Sequence, residues 1–397
     1  MRPFLVATFV ILVSLGAAAP GYAQKSEIVL GGALSLTGRF STEATEHLRA
    51  YQLFIDELNA AGGVALRGAA RKLPVRLLHY DDQSDTSAAA KLYERLITSD
   101  KVDLLFSPWG SGPNFSVTAV TEKHKFPMVL ASAASDAIYS RGFKYIYNTT
   151  DLASAMPRPL IDFLKTKKGD LKRVAVLYEN FLFTTTLRDV FVKAIQAEGF
   201  EVVLDERYPL QAQDFTGLMT KVKAAAPDAV IVFSLMPPSV YATRQAREVG
   251  VAPKLLFINI GPMYVKEYME PLGRMTEGVV ETGFWHQDLP YPGARQFHDR
   301  YLTRFGKPAS TDAAYAYMAA QILFQAVEKS GSLDREALNE TLKKEEFTTI
   351  GGKYRYDARG VNIHSRPFLT QVQDGKRVVA WPPDLTTTTL RYPMAPR

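Results

Sequence analysis

The sequence has no cysteine, which removes disulfides, thiolate metal ligands, a cysteine nucleophile and a lipid carried on an N-terminal cysteine. A chain of 397 residues that is 47% hydrophobic can do without covalent staples, because its apolar material fills more than one core; length alone suggests about two domains. Beyond Gln24 no segment approaches the roughly 20 apolar residues that a membrane span requires. Histidine is scarce: six residues, His47, His79, His124, His286, His298 and His364, none at the paired spacing of a zinc site. The formal net charge is only +6, and Lys and Arg interleave with Asp and Glu, so the clustered basic footprint of a nucleic-acid binder is missing.

What is present begins with "MRPFLVATFVILVSLGAAAPGYAQ": a basic Arg2, an apolar run from Phe4 to Ala19, then small residues up to Ala23. That order is a secretory signal peptide over residues 1–23, with cleavage expected after Ala23. An exported chain without a lipid-bearing cysteine is expected to be a free protein of the periplasm. The tail "TLRYPMAPR" reads as a solvated end.

Short apolar runs then alternate with helical patterns. "IVLGGALS", "VRLLHYDD", "VDLLFSP" and "PMVLASA" form a first set, and "VAVLYEN", "EVVLDERY", "DAVIVFSL" and "KLLFINI" a second. Near-continuous apolar runs of this length fit parallel strands covered on both faces. Between the first two lies a helix whose Leu48, Tyr51, Phe54, Ile55 and Leu58 share one face and which stops at Gly62 and Gly63. The fold class is α/β, with two doubly wound, Rossmann-like lobes. After "GVVETGFW" come three helical segments, near Ala294 to Arg304, Thr311 to Ser330 and Asp334 to Lys344, and a hairpin turning at Asp374 and Gly375. The late helices are expected to return to the first lobe and the hairpin to the second.

The loop "SPWGSG", Ser107 to Gly112, invites a phosphate cradle, and each specific version fails. A dinucleotide fingerprint needs glycine where Phe115 stands, no Gly-Lys pair is followed by Ser or Thr, and Trp109 and Pro113 replace the glycines of a nucleophile elbow around Ser111. Asp81 and Asp82 sit where a strand gives way to a helix, and are expected to cap it through Ser84 or Asp85. Small hydroxylated or aromatic residues do gather just past four strands, at "SLTG", "SPWGSG", "ASAAS" and "YENFLF". Ligands of open α/β sheets bind there, and hydroxyls with free backbone NH groups can hold a carboxylate.

Together "IVLGGALSLTG", "HYDDQSDTSAAAKLYERLI", "PMVLASAAS" and "YDARG" resemble the periplasmic leucine/isoleucine/valine-binding proteins, the substrate-binding subunits of branched-chain amino acid ABC transporters. The resemblance spans the mature chain. It implies a three-segment hinge near Asn148, Met275 to Glu281 and Gly351, a first lobe of 27–148 with 282–350, a second of 149–281 with 351–397, and Venus-flytrap closure of a monomer toward a membrane permease. No cofactor, catalysis or nucleic acid is implied.

Carried over residue by residue, the resemblance places a ligand carboxylate on Ser111 or Gly112, beside Gly110, on the NH of Ala133, and on the hydroxyl and NH of Ser135. It places an aromatic lid near Phe183 and a second aromatic position near Met236. Its amine-binding carboxylate falls on Ile260, and no acidic residue occurs between Lys254 and Lys266. Either Asp151 or Glu179 replaces it, or the ligand has no amine. In the second case Trp109, Phe181, Phe183 and Met236 would surround the apolar part of an aromatic or aliphatic acid. Two rivals stand beside transport: an exported α/β enzyme acting on a sugar or ester, and a sensor module that passes its ligand to a receptor.

Overall fold

The computed structural model describes residues 25–386 and 388–395; the expected signal peptide lies outside them. The first lobe opens with β1 (Ile28–Leu34), α1 (Ser41–Ala60), β2 (Val75–Asp81), α2 (Thr86–Thr98), β3 (Leu104–Leu105), α3 (Ser111–Lys123), β4 (Met128–Leu130), α4 (Asp136–Tyr139) and β5 (Ile146–Asn148). β2, β1 and β3 pair in parallel, as do β4 and β5. Parallel bridges at Phe106–Val129 and Trp109–Ser132 join the two groups, which sets the order β2-β1-β3-β4-β5. The middle of β1 must be glycine: a Cβ on Gly32 would lie 2.4 Å from the Phe106 ring.

Asp85, not the preceding pair, caps α2, its carboxylate accepting the NH groups of Ser87 and Ala88 at 2.7 and 2.9 Å. Asp81 and Asp82 hold the loop after β1 instead. Parallel register sets Asp81 beside Leu34, where it accepts the NH of Leu36 at 3.0 Å, while Asp82 accepts the Ser35 hydroxyl at 2.6 Å. The strand end therefore fixes a loop that faces the second lobe.

That lobe contains α5 (Arg158–Lys165), β6 (Arg173–Glu179), α6 (Leu182–Ala197), β7 (Glu201–Tyr208), α7 (Thr216–Ala225), β8 (Ala229–Phe233), α8 (Pro238–Val249), β9 (Leu255–Ile258), a short α9 (Glu270–Leu272) and β10 (Val280–Gly283). The chain then returns through α10 (Ala294–Phe305), α11 (Thr311–Ser330), α12 (Arg335–Lys344) and the small hairpin β11 (Phe347–Thr349) and β12 (Gly352–Tyr354). It ends on β13 (Phe368–Gln373) and β14 (Lys376–Trp381), turning at Asp374 and Gly375, both with positive φ. The larger sheet runs β14-β13-β10-β9-β8-β6-β7, parallel from β10 to β7 and antiparallel at its last two strands. α11 lies along α1, so the late helices do cover the first lobe.

Two crossings differ from expectation. β10 belongs to the larger sheet, so the chain leaves it after Gly283. The last crossing follows Asn362 rather than Gly351. The NH of Asn148 donates to the Gly360 carbonyl at 2.9 Å, and that of Asn362 to Asn148 Oδ1 at 2.7 Å. The cause is the turn in "YDARG", where Asp357 accepts the NH groups of Arg359 and Val361 and presses Gly360 onto β5. Gly360 has φ +76, and a Cβ there would lie 1.8 Å from the Ile146 carbonyl oxygen. Gly360→Ala is therefore expected to lower stability by about 2 kcal/mol or more. Urea denaturation checks this; an unchanged midpoint would show that the tail can lift off β5 freely.

Candidate functional site

The carboxyl ends of β3, β4, β5, β6 and β9 face one another across the cleft, and the N-terminus of α11 closes its back. Between them lies a cavity. Its wall is mostly apolar: Trp109 after β3, Ala134 after β4, Met156, Phe181 and Phe183 at the start of α6, Ile260 and Met263 after β9, and Phe284 after β10. Phe40 links the lobes, its ring centroid 5.3 Å from Trp109 and 5.2 Å from Phe181.

Among the described residues one carboxyl group lines the cavity, Asp312 in the first turn of α11. It is 4% exposed, and both of its oxygens accept protein donors. Oδ1 accepts the Trp109 indole NH at 3.0 Å and the Ser132 hydroxyl at 2.7 Å, and Tyr264 of the second lobe donates its hydroxyl proton to Oδ2. Burial alone would raise this carboxyl, but His47, with Tyr264 and Ser132, outweighs it and holds the group below the usual carboxylate range. Asp312 is thus an anion whose counter-donors all come from the protein.

Other polar groups at the wall are unspent. Asn259 Oδ1 and Nδ2, Thr150 Oγ1 and the Tyr315 hydroxyl are buried and have no partner within the protein. Leaving such a group unpaired costs about 1–3 kcal/mol each, so together they mark where a ligand bonds. At the far side the first turn of α3 presents the NH groups of Ser111 and Gly112, which have no acceptor within their own helix.

Of the residues singled out from sequence, Trp109, Gly110, Ser111, Phe181, Phe183 and Ile260 line this cavity. Gly112 lies under the Phe181 ring, where a Cβ would come within 3.3 Å of it. Ala133 does not line the cavity: its neighbours Ser132 and Ala134 do, and its carbonyl accepts from the Tyr139 hydroxyl at 2.8 Å. The NH groups of Ala134 and Ser135 donate to Ser111 Oγ at 3.2 and 3.1 Å, so this hydroxyl orders the loop after β4. Ser135 is itself outside the lining, with its hydroxyl 3.5 Å from Thr186 Oγ1 on α6. Met236 is also outside, and its NH donates to Glu43 Oε1 at 3.2 Å.

Neither proposed replacement for the missing carboxylate lines the cavity. Burial pushes the Asp151 carboxyl up to about 7, and Glu179 is occupied by the NH groups of Gln211 and Leu235 at 3.0 and 2.9 Å. The group at the wall, Asp312, escaped notice because it arrives on a helix more than 100 residues beyond Trp109 and Ser132, the two first-lobe residues it meets. Asn259 was within reach of the sequence: it is the last residue of "KLLFIN", immediately before Ile260.

The family model described as periplasmic binding protein matches residues 27–377 of the chain. The chain belongs to the periplasmic binding protein family. Members of this family bind small molecules and serve ABC transporters. Over 416 aligned residues this periplasmic binding protein is 24% identical to a Leu/Ile/Val-binding protein homolog 7 of Brucella abortus (strain 2308), with 99% of this chain and all of that protein covered. The fold matches the branched-chain amino acid transporter substrate-binding protein of Streptococcus pneumoniae in complex with isoleucine: TM-score 0.79, 22% identity, 89% of this chain and 98% of that one. It matches equally a solute-binding protein of Rhodopseudomonas palustris in complex with benzoate, with TM-score 0.78, 19% identity and coverage of 89% and 95%. The two-lobe flytrap architecture of this binding protein is shared with both.

Polar contacts that bind its lobes directly include Tyr264 to Asp312, Met236 NH to Glu43, and Lys307, which bridges Glu46 on α1 and Glu267 of the second lobe. Glu43 is fully buried, and burial, reinforced by the charge of Asp312, pushes its carboxyl well above the usual 4.5. A carboxyl raised by folding is neutral in the folded state, so it opposes folding progressively as pH rises above about 4.5. Glu43→Gln keeps an acceptor for Met236 and removes that penalty. The variant is expected to exceed the parent in stability at pH 8 by roughly 1 kcal/mol or more, with the gap shrinking toward pH 5. Urea midpoints at both pH values check it; a gap independent of pH would show that Glu43 does not titrate on unfolding.

Proposed function

We propose that this protein is the periplasmic binding subunit of an ABC importer for a small carboxylic acid that carries an aromatic ring and no amine. The observation that carries the proposal is that both oxygens of Asp312 already accept donors from the protein. An amino acid would bring an ammonium group into a buried site, where an unpaired charge costs several kcal/mol. The lining carboxylate has both oxygens already taken by Trp109, Ser132 and Tyr264, and the residue at the strand end, Asn259, is a neutral amide. A carboxylate is better served: the positive end of α3 and the hydroxyls of Thr150 and Tyr315 are donors without partners. Trp109, Phe181, Phe183 and Phe284 then enclose a ring.

The benzoate complex among the structural neighbours supports an amine-free acid, and the isoleucine complex keeps a branched-chain amino acid as the second reading. Catalysis is disfavoured by the pair that most resembles it. His47 Nε2 and Ser132 Oγ are 2.8 Å apart, but the single Ser132 proton goes to Asp312. His47 Nε2 must therefore donate to Ser132, and it cannot act as that serine's base. The protein works as a monomer, exported by its signal peptide and read by an inner-membrane permease.

Thermal-shift measurements with benzoate and phenylacetate beside leucine and phenylalanine test the ligand class, since a ligand that binds only the folded state raises the melting temperature by mass action. The aromatic acids are expected to raise it and the amino acids to leave it unmoved. A shift with leucine or phenylalanine and none with the acids would overturn the proposal.

A further inference from the structure

Asn259 is 1% exposed, lines the cavity, and has no partner for either side-chain atom. Its position is fixed by its surroundings. Its own NH donates to the Val232 carbonyl at 3.0 Å, extending the pairing of β9 with β8 by one residue. The next turns of the loop are tied down as well, with the NH groups of Gly261 and Met263 donating to Glu281 Oε1 at 3.1 and 3.2 Å, and Glu281 in turn paired with Arg377 at 3.0 Å. The flanking cavity residues Ile260 and Met263 offer hydrocarbon and sulfur. The amide is thus rigidly presented and has no local polar partner to turn to.

Its demand on a ligand is specific. The hydroxyls of Thr150 and Tyr315 can donate or accept, so a plain carboxylate satisfies them. The amide of Asn259 has one atom that only donates and one that only accepts, and exchanging the two leaves that unchanged. A carboxylate or a bare ring brings no hydrogen to the accepting oxygen. Of the groups that do, an ammonium is charged and finds no free anion here. A hydroxyl is neutral, and can donate to Oδ1 and accept from Nδ2.

We infer that Asn259 selects acids bearing a hydroxyl, the substrate class being a hydroxylated aromatic carboxylate whose hydroxyl meets this amide while its carboxylate lies toward α3, Thr150 and Tyr315. The inference rests on the amine-free reading of the site above. A site built to bond a hydroxyl rejects the analogue lacking it, because its buried polar atoms are then left unpaired.

Isothermal titration of the wild-type protein with benzoate, 3-hydroxybenzoate and 4-hydroxybenzoate, repeated on Asn259→Leu, tests it. At least one hydroxybenzoate is expected to bind wild type about tenfold or more tightly than benzoate. In Asn259→Leu the ratio is expected to fall to about one, with benzoate still bound. Equal affinity of all three acids for wild type would overturn the inference and leave the amine-free reading standing, and this comparison needs no variant. A hydroxyl preference that survives in Asn259→Leu would overturn the role of the residue. Binding of leucine or phenylalanine with no binding of any acid would instead overturn the amine-free reading on which it rests.

Discussion

The carboxylate of Asp312 is the point on which the cleft is assembled. It sits at the positive end of α11, where a helix favours an anion, and three elements supply its donors: Trp109 after β3, Ser132 after β4 and Tyr264 from the opposite lobe. A buried anion tolerates no missing partner, so its presence dictates where those loops lie. The indole of Trp109 is turned to reach it, and with the indole fixed, the Phe40 and Phe181 rings stack outward in sequence. The aromatic wall is in this sense a consequence of one charge.

Around that anion, the remaining surface separates into hydrocarbon and unsatisfied polar groups. The separation explains how two lobes with ordinary α/β sheets can discriminate among small acids. Apolar area accepts many shapes, whereas each buried hydroxyl or amide adds a requirement that a wrong ligand leaves unmet. Ser111 illustrates how the division is maintained, since its side chain is spent on the NH groups of Ala134 and Ser135 and its own NH remains at the head of α3.

The architecture was legible because it follows from pattern: apolar runs buried on both faces, a helix stopped by paired glycines, and a hairpin whose Asp374 and Gly375 both take positive φ. The loops after β3, β4 and β6 were legible for the same reason, being the ends of those runs. What escaped was set by long-range geometry. Nothing local in "STDAAYAYM" shows that Asp312 will meet Trp109, because the contact depends on α11 returning to lie along α1. Ala133 was misplaced by one residue, since the bridge of Trp109 to Ser132 decides which neighbours face the cavity. The last crossing was misplaced because Gly360 and Asn362 pair with Asn148, a side-chain and backbone match that periodicity does not register.

The seam between the lobes has a further consequence. Lys307, only 6% exposed, is held between Glu46 and Glu267, and this contact, like those of Tyr264 and Met236, is made entirely by protein groups. Buried pairs of this kind add little net stability but impose one relative arrangement of their partners. The protein therefore writes part of the arrangement of its lobes into its own sequence. Apparent affinity is intrinsic affinity scaled by the population already competent to bind, so the seam acts as a gain control. Residues that never touch the solute set the concentration at which a transporter hears of it.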